Sequence, residues 1–308
     1  MVVPVTGAAR DLYVAVEGSD LNVGSEALPL ASLQAALDQV DIAAHGDHTI
    51  FVRGGTYYGQ TVNWKKHSPD HRITISAYPN ETVIFDGIRN GEIQTLFFAL
   101  SRGTGVDSNV TIRGLTVRNY LSWAVFIGYG GDWLGGNVIE DNIFYNIGDR
   151  FLPPGKSCNL EQAGFAVVAL EETGGNLIQN NVFAHAENCP MNARLMHAVY
   201  LQHGASGNEI SANRVYWSSG DPFKVRNGSS DNVIVDNYAL YSGDHAFLLS
   251  CSEANEAPSW RNAVADNRIA YPYAPGGRLD VTTNCNSSPT TFIDRGQALF
   301  LAAEGASP

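Results

Sequence analysis

The sequence predicts an all-β chain wound as a single-domain parallel β-helix, a solenoid in which each coil stacks on the one before. Three observations predict it. One short pattern recurs: "NVIEDNIF" at 137, "NLIQNNVF" at 176, "NEISANRV" at 208, "NVIVDNYA" at 232 and "NAVADNRI" at 262. Each copy has Asn, an apolar-alternating stretch, then Asn five positions later, and successive copies begin 39, 32, 24 and 30 residues apart. Units of this length with period-two alternation and small polar turns mark a solenoid. Leucine-rich repeats would show their fixed leucine pattern, and a propeller blade would need four strands per unit.

Residues 11–48 are expected to supply a first strand and a capping helix, 49–290 the coils, and 291–308 a C-terminal tail or cap. In "PLASLQAALDQV" (29–40), Leu30, Leu33, Ala36, Leu37 and Val40 fall at helical spacing, with Ser32 and Asp38 off that stripe. Such a helix would cover the open first coil, because solenoids need capped ends. "ITISAYPNETVIFDG" and "VTIRGLTVRNY" read as degenerate early coils.

The asparagines have a physical reason. Equivalent residues of stacked coils lie about 4.8 Å apart. Asn tolerates the left-handed turn conformation, and stacked amides hydrogen-bond up the column. Asn142, Asn181, Asn213, Asn237 and Asn267 are therefore expected to be structural.

Aligning each coil on the asparagine that follows it stacks six strands: "AVFIG" (124–128), "AVVAL" (166–170), "AVYLQ" (198–202), "PFKVR" (222–226), "AFLLS" (246–250) and "RLDVT" (278–282). Side chains alternate faces along a strand, so Val199, Leu201, Phe223, Val225, Phe247 and Leu249 point inward. The outward columns are then Phe126, Val168, Tyr200, Lys224, Leu248 and Asp280, and, two residues on, Gly128, Leu170, Gln202, Arg226, Ser250 and Thr282. Tyr200, Gln202, Lys224 and Arg226 make a compact polar square. The insertions 149–163 and 184–195 would wall it, with Cys158 and Cys189 in adjacent walls. An exposed strand carries a Lys and an Arg routinely as a solvated face. Against that reading stands scarcity: the chain has four lysines, and Lys224 is one of them. His197, Asp221 and His245 are expected to stack in one column, where a carboxylate between two imidazoles would fix their tautomers. Failing that role, they would form a turn network supporting the sheet. His203 follows Gln202 and could reach the edge of the square.

Composition bounds the rest. A net charge of −12 argues against a general nucleic-acid binder, which would carry a basic footprint. It also opposes long-range approach of a polyanion, although a site needs only a local basic patch. No apolar run approaches the roughly 20 residues of a membrane span. Met1 followed by "VVPVTGAAR" reads as a trimmed mature form, with no signal peptide. Four cysteines fit no metal-ligand spacing; an even count allows two disulfides and suggests secretion, with three connectivities open. Neighbouring coils would pair Cys158 with Cys189 and Cys251 with Cys285. Sequons stand at Asn80, Asn109, Asn227 and Asn286. The chain is expected to be a monomer needing no metal or cofactor.

The segment "YVAVEGSDLNVGSEALPLASLQAALDQ", through Gly18, Asp20, Gly24, Pro29, Ser32, Leu33, Gln34 and Ala35, followed by "IFVRGGTYYG", resembles the opening of secreted right-handed parallel β-helix proteins of the pectate-lyase-like superfamily. With the asparagine-punctuated coils the resemblance covers nearly the whole chain. It implies the fold and its handedness, and does not choose among the lyases, hydrolases, epimerases and binding proteins that share it. At Tyr200, Lys224 and Arg226 the chain resembles the β-helical alginate lyases, polysaccharide lyase family 31 and more distantly family 6. That resemblance implies a Lys-with-Tyr or Lys-with-Arg catalytic pair.

A uronate lyase must neutralise the C6 carboxylate, remove the C5 proton and protonate the departing O4. Arg226 suits the carboxylate through its bidentate fork, and Tyr200 and Lys224 suit the proton transfers. Gln202, His197, His203 and Asp221 would contact or orient the sugar. The expectation is β-elimination on an acidic polysaccharide, polymannuronate first. Pectate lyases would imply a cluster of outward acidic Ca²⁺ ligands, of which only Asp280 is seen, and polygalacturonase-like hydrolysis needs paired outward aspartates. A uronate C5-epimerase shares the first proton abstraction and is the alternative; a non-catalytic glycan binder is the other.

Overall fold

The computed structural model describes residues 8–66, 68, 70–101, 107–128, 134–159, 163–243, 245, 247–250, 256–273, 281–283 and 299–300. Within them the chain contributes strands in turn to three parallel sheets of nine, nine and eight strands. The coil that carries Lys224 and Arg226 runs Glu209–Ser211, Arg214–Ser218 and Phe223–Arg226, one strand in each sheet. A two-stranded antiparallel hairpin, Ile88–Arg89 with Glu92–Ile93, projects from an early coil.

The core follows from stacking like on like. One inward column reads Ile50, Ile75, Ile112, Ile139, Ile178, Ile210, Ile234 and Val264. A second contains Phe85, Val117, Phe144, Phe183, Val215, Ala239 and Ile269. All of these are buried, each contributing roughly 1.5–3 kcal/mol of apolar burial for a large side chain.

Two asparagine ladders hold the corners at the two ends of the strands in one nine-stranded sheet, among them Val138–Glu140, Leu177–Gln179 and Glu209–Ser211. In one, the Nδ2 groups of Asn137, Asn176, Asn208 and Asn232 each donate to the Oδ1 of the next asparagine, ending on Asn262. In the other, Asn142, Asn181, Asn213, Asn237 and Asn267 do the same at 2.9–3.1 Å. The backbone detail differs from the expectation by one residue. Left-handed φ belongs to the residue before each asparagine of the second ladder, Asp141, Asn180, Ala212, Asp236 and Asp266, at 54–56°. That residue turns the chain, and the asparagine after it points its amide into the column.

The capping helix is shorter than the periodicity suggests, Leu33–Asp38, with Leu33, Ala36 and Leu37 buried. Ser32 caps it, its hydroxyl accepting from the Ala35 N–H at 3.1 Å, and the Asp20 carboxylate fixes Ser32 in turn. Cys158 and Cys189 are disulfide-bonded; Cys251 and Cys285 lie outside the described residues. No described helix is long and apolar enough to cross a membrane.

The register corrects two coils of the sequence alignment. Val168 pairs with Val199 and Ala169 with Tyr200, so Val168 and Leu170 are inward and buried. Ala169 and Glu171 take the outward places beside Tyr200 and Gln202. The loop from Glu171 to Asn176 is one residue shorter than that from Gln202 to Asn208. Counting back from the asparagine therefore slips the strand by one, and a one-residue slip exchanges the faces. At the far end Leu248 pairs with Thr282, which takes the place assigned to Asp280; Asp280 itself lies outside the described residues.

Candidate active site

Tyr200 and Lys224 are direct cross-strand neighbours on strands His197–Gln202 and Phe223–Arg226. The Lys224 ammonium sits 5.3 Å from the Tyr200 ring centroid. Both side chains line a cavity of about 290 Å³ together with Trp123, Phe165, Leu195, His197, Gln202 and Arg226. Of the two insertions expected to wall the site, 184–195 contributes Leu195, the end of the 3₁₀ turn Pro190–Leu195; no residue of 149–163 lines the cavity, and that segment is tied to the turn through the disulfide between Cys158 and Cys189.

Burial acts on both proton-transfer candidates. It pushes the Lys224 amine below its ordinary value, and the Arg226 charge pushes it further down. Burial also raises the Tyr200 hydroxyl, against the lowering influence of Arg226. Arg226 Nη1 donates to the Tyr200 hydroxyl at 3.2 Å. The other edge of this guanidinium is held by Glu256: Nε donates to its carboxylate at 3.2 Å, and Nη2 forms an ion pair with it. Arg226 thus fixes the phenol and is fixed in turn by a buried carboxylate.

His197 is buried, and its Nδ1 donates to the Asp221 main-chain carbonyl at 2.7 Å. A carbonyl only accepts, so the tautomer is set and Nε2 is left as the unprotonated nitrogen. Burial, then the Lys224 charge, push its pKa down to about 3, so the ring is neutral. The anticipated carboxylate between two imidazoles is not formed. The Asp221 side chain accepts from the His245 N–H at 2.8 Å and lies 3.3 Å from the His245 Nδ1, while His197 takes the backbone. Gln202 and His203 meet on Glu171: the Gln202 amide at 3.4 Å and His203 Nδ1 at 2.6 Å. The structure therefore brings Tyr200, Lys224, Arg226, Gln202 and His197 into one cavity. Asp221 stands behind His197 and His203 stands at the rim.

Three contributors were not anticipated. Glu256 lies in "CSEANEAPSW", which carries no strand alternation to place it. Trp123 and Phe165 stack at 6.2 Å and 17°, and Trp123 also packs edge-on against Phe126 at 5.3 Å. Their signal was available: each aromatic lies just ahead of a stacked strand, Val125–Ile127 and Ala166–Glu171.

The donor set does not suit a divalent cation. The cavity lining holds two cationic side chains and no carboxylate, whereas Ca²⁺ takes six to eight oxygen ligands. Among the described residues no group of three or more His, Cys, Asp or Glu could hold a metal ion.

Comparison with known proteins gives relatives of two kinds. Pectate lyase PEL9 of Emericella nidulans is 40% identical over 82 residues, 26% of this chain and 19% of that protein. The uncharacterized protein YwoF of Bacillus subtilis is 32% identical over 129 residues, 41% of this chain and 26% of that protein. The matched stretches thus span about a quarter or less of these relatives. Among solved structures, pectate lyase Pel9A superposes with a TM-score of 0.63 at 15% identity, covering 96% of this chain and 82% of that one. At that identity the likeness speaks for the fold. The family model for the right-handed β-helix region matches residues 102–257, half of the chain and the part that carries the polar square. Three parallel sheets, two asparagine ladders and this match together place the chain in the right-handed β-helix family.

Proposed function

We propose that the chain is a secreted polysaccharide lyase that cleaves a 1,4-linked uronate polymer by β-elimination, with polymannuronate as the first substrate. The observation that carries the reading is the pairing of Lys224 with Tyr200 inside a walled cavity, Lys224 lowered and Tyr200 held protonated. A lowered amine is the better base at moderate pH, and a raised phenol stays available as an acid. Lys224 takes the C5 proton, and the electron pair left on C5 forms the C4–C5 double bond as the C4–O4 bond breaks. Tyr200 supplies the proton to the departing O4. Arg226 Nη1, the nitrogen that Glu256 does not hold, and the Gln202 amide meet the C6 carboxylate and stabilise the charge that develops on it. The Trp123–Phe165 pair gives the sugar ring an apolar surface.

The sequence similarity to a pectate lyase favours polygalacturonate as a second substrate to test. Its C5 proton is acidified by the same carboxylate. The disulfide supports an extracellular destination. The test is ultraviolet absorbance of the new double bond against a panel of uronate polymers. Absorbance that grows with the native chain and not with Lys224→Ala supports the lyase. Turnover without absorbance, read as exchange of the C5 proton with solvent, would replace it with a C5-epimerase.

A further inference from the structure

We propose that a groove on the neighbouring sheet is a second, non-catalytic binding site for the same acidic polysaccharide; this rests on the reading of the chain as acting on polyuronates. The groove has a volume of about 640 Å³ and is lined by Arg214, Tyr216, Asp236, Tyr238, Asp266 and Arg268. It lies on the strands Arg214–Ser218, Tyr238–Ser242 and Arg268–Ala270. The turn 219–222 separates the first of these from the strand that carries Lys224, so the groove and the catalytic cavity occupy different faces of the solenoid.

Arg214, Tyr238 and Arg268 are successive partners in one outward row. The two arginines are two strand spacings apart, about 9.6 Å. Tyr216 stands beside Tyr238, their ring centroids 6.1 Å apart and their planes inclined at 65°. Arg53, Arg118, Arg150, Arg226 and Arg261 are all ion-paired. The Arg214 and Arg268 side chains have no hydrogen bond or ion pair among the described residues, although two carboxylates line the same groove. Both guanidinium forks are therefore open to a ligand.

The chemistry of the lining selects the ligand. Each residue of a 1,4-linked polyuronate carries one carboxylate and two hydroxyls on adjacent ring carbons. An arginine fork takes a carboxylate in bidentate fashion. An aspartate accepts from a hydroxyl pair, and a tyrosine ring packs on the C–H face of the sugar. Two arginines and two aspartates balance in charge, which fits a ligand that is both acidic and hydroxylated better than a bare polyanion. Because the faces differ, bound polymer does not block the cavity. It is held at raised local concentration beside it.

Affinity electrophoresis through gels containing polymannuronate or polygalacturonate tests this in the Lys224→Ala chain, which leaves the polymer intact. Adding Arg214→Gln and Arg268→Gln is expected to weaken retardation roughly tenfold, the product of two exposed charge contacts. With Lys224 restored, the same pair should raise KM for polymer and leave KM and kcat for a short oligouronate unchanged. Retardation that is absent in the parent, or that survives both substitutions, overturns the proposal. So does an equal loss of retardation in a gel of neutral polysaccharide. If the native chain makes no double bond, the lyase reading fails alone, because the gel readout needs no turnover.

Discussion

Arg226 Nη1 lies 3.2 Å from the Tyr200 hydroxyl, on the one edge of the guanidinium that Glu256 leaves open. The cation therefore acts on the phenol before any substrate arrives, and Glu256 decides how strongly. Glu256→Gln would leave a largely buried guanidinium without its counter-charge. Breaking such a pair is expected to cost about 2–4 kcal/mol, less than the full penalty because Arg226 keeps some exposure. The unscreened charge should also lower the Lys224 amine further. Urea denaturation reads the first effect, and a shift of the rising limb of the pH–rate profile to lower pH reads the second.

Lys224→Ala and Tyr200→Phe each remove a proposed proton-transfer group and are expected to lower kcat about a hundredfold to a thousandfold. Tyr200→Phe keeps the ring that packs beside Phe126, Ala166 and Ala169, so its melting temperature should stay near native. Arg226→Ala should raise KM as well, because the substrate carboxylate is charged before the reaction starts. Near-native turnover in both Lys224→Ala and Tyr200→Phe would mean that the polar square is a solvated strand face.

The pH dependence of turnover follows from the same two groups. Lys224 must be neutral to accept a proton, and its pKa lies below the ordinary lysine value of 10.5. Tyr200 must stay protonated, and its pKa lies above the ordinary 10.0. Rate should therefore climb with pH along a limb below 10.5 and hold a plateau until the phenol ionises. Initial rates across pH check this. A limb at the free-lysine value, or a fall in rate before pH 10, contradicts the assignment of base and acid.

What the sequence disclosed and what it hid have physical causes. Period-two alternation and asparagine spacing are local, and they placed Tyr200 beside Lys224 and Gln202 beside Arg226. Face assignment depends on loop length, and one residue fewer between Glu171 and Asn176 turned Val168 and Leu170 inward. The expected contact of the Asp221 carboxylate with the His197 ring is instead backbone carbonyl to ring, while the carboxylate is engaged by His245. Glu256 was out of reach because its segment has no repeat signature, yet it is the partner that fixes Arg226.

His197 links folding to acidity. In the unfolded chain it binds a proton below about pH 6.5, whereas burial in the folded chain delays this until about pH 3. Between those values the unfolded state holds more protons, so stability falls as pH is lowered and is fully recovered above about 6.5. His197→Asn, which keeps a side-chain donor for the Asp221 carbonyl, should flatten this part of the stability–pH curve relative to the native chain. Denaturant midpoints at pH 7, 5.5 and 4 measure the difference between the two curves. Parallel curves would show that His197 does not set the slope.

Adjacent asparagines separate ladder from turn. Asn181 is buried; its Nδ2 donates to the Ile139 carbonyl and to Asn213 Oδ1, and its own Oδ1 accepts from the main-chain N–H and Nδ2 of Asn142. Asn180, one residue earlier, is exposed and takes the left-handed backbone at φ 55°. Asn181→Ala orphans buried donors and acceptors on the coils to either side. At about 1–3 kcal/mol for each unsatisfied group, the loss should reach about 3 kcal/mol or more. Asn180→Ala keeps every ladder bond and pays only for a Cβ-bearing residue less tolerant of left-handed φ, about 1 kcal/mol. Urea midpoints of the two variants should therefore differ clearly, with Asn181→Ala the weaker. If the two lose the same stability, the stacked amides are not what ties coil to coil, and the turn conformation is.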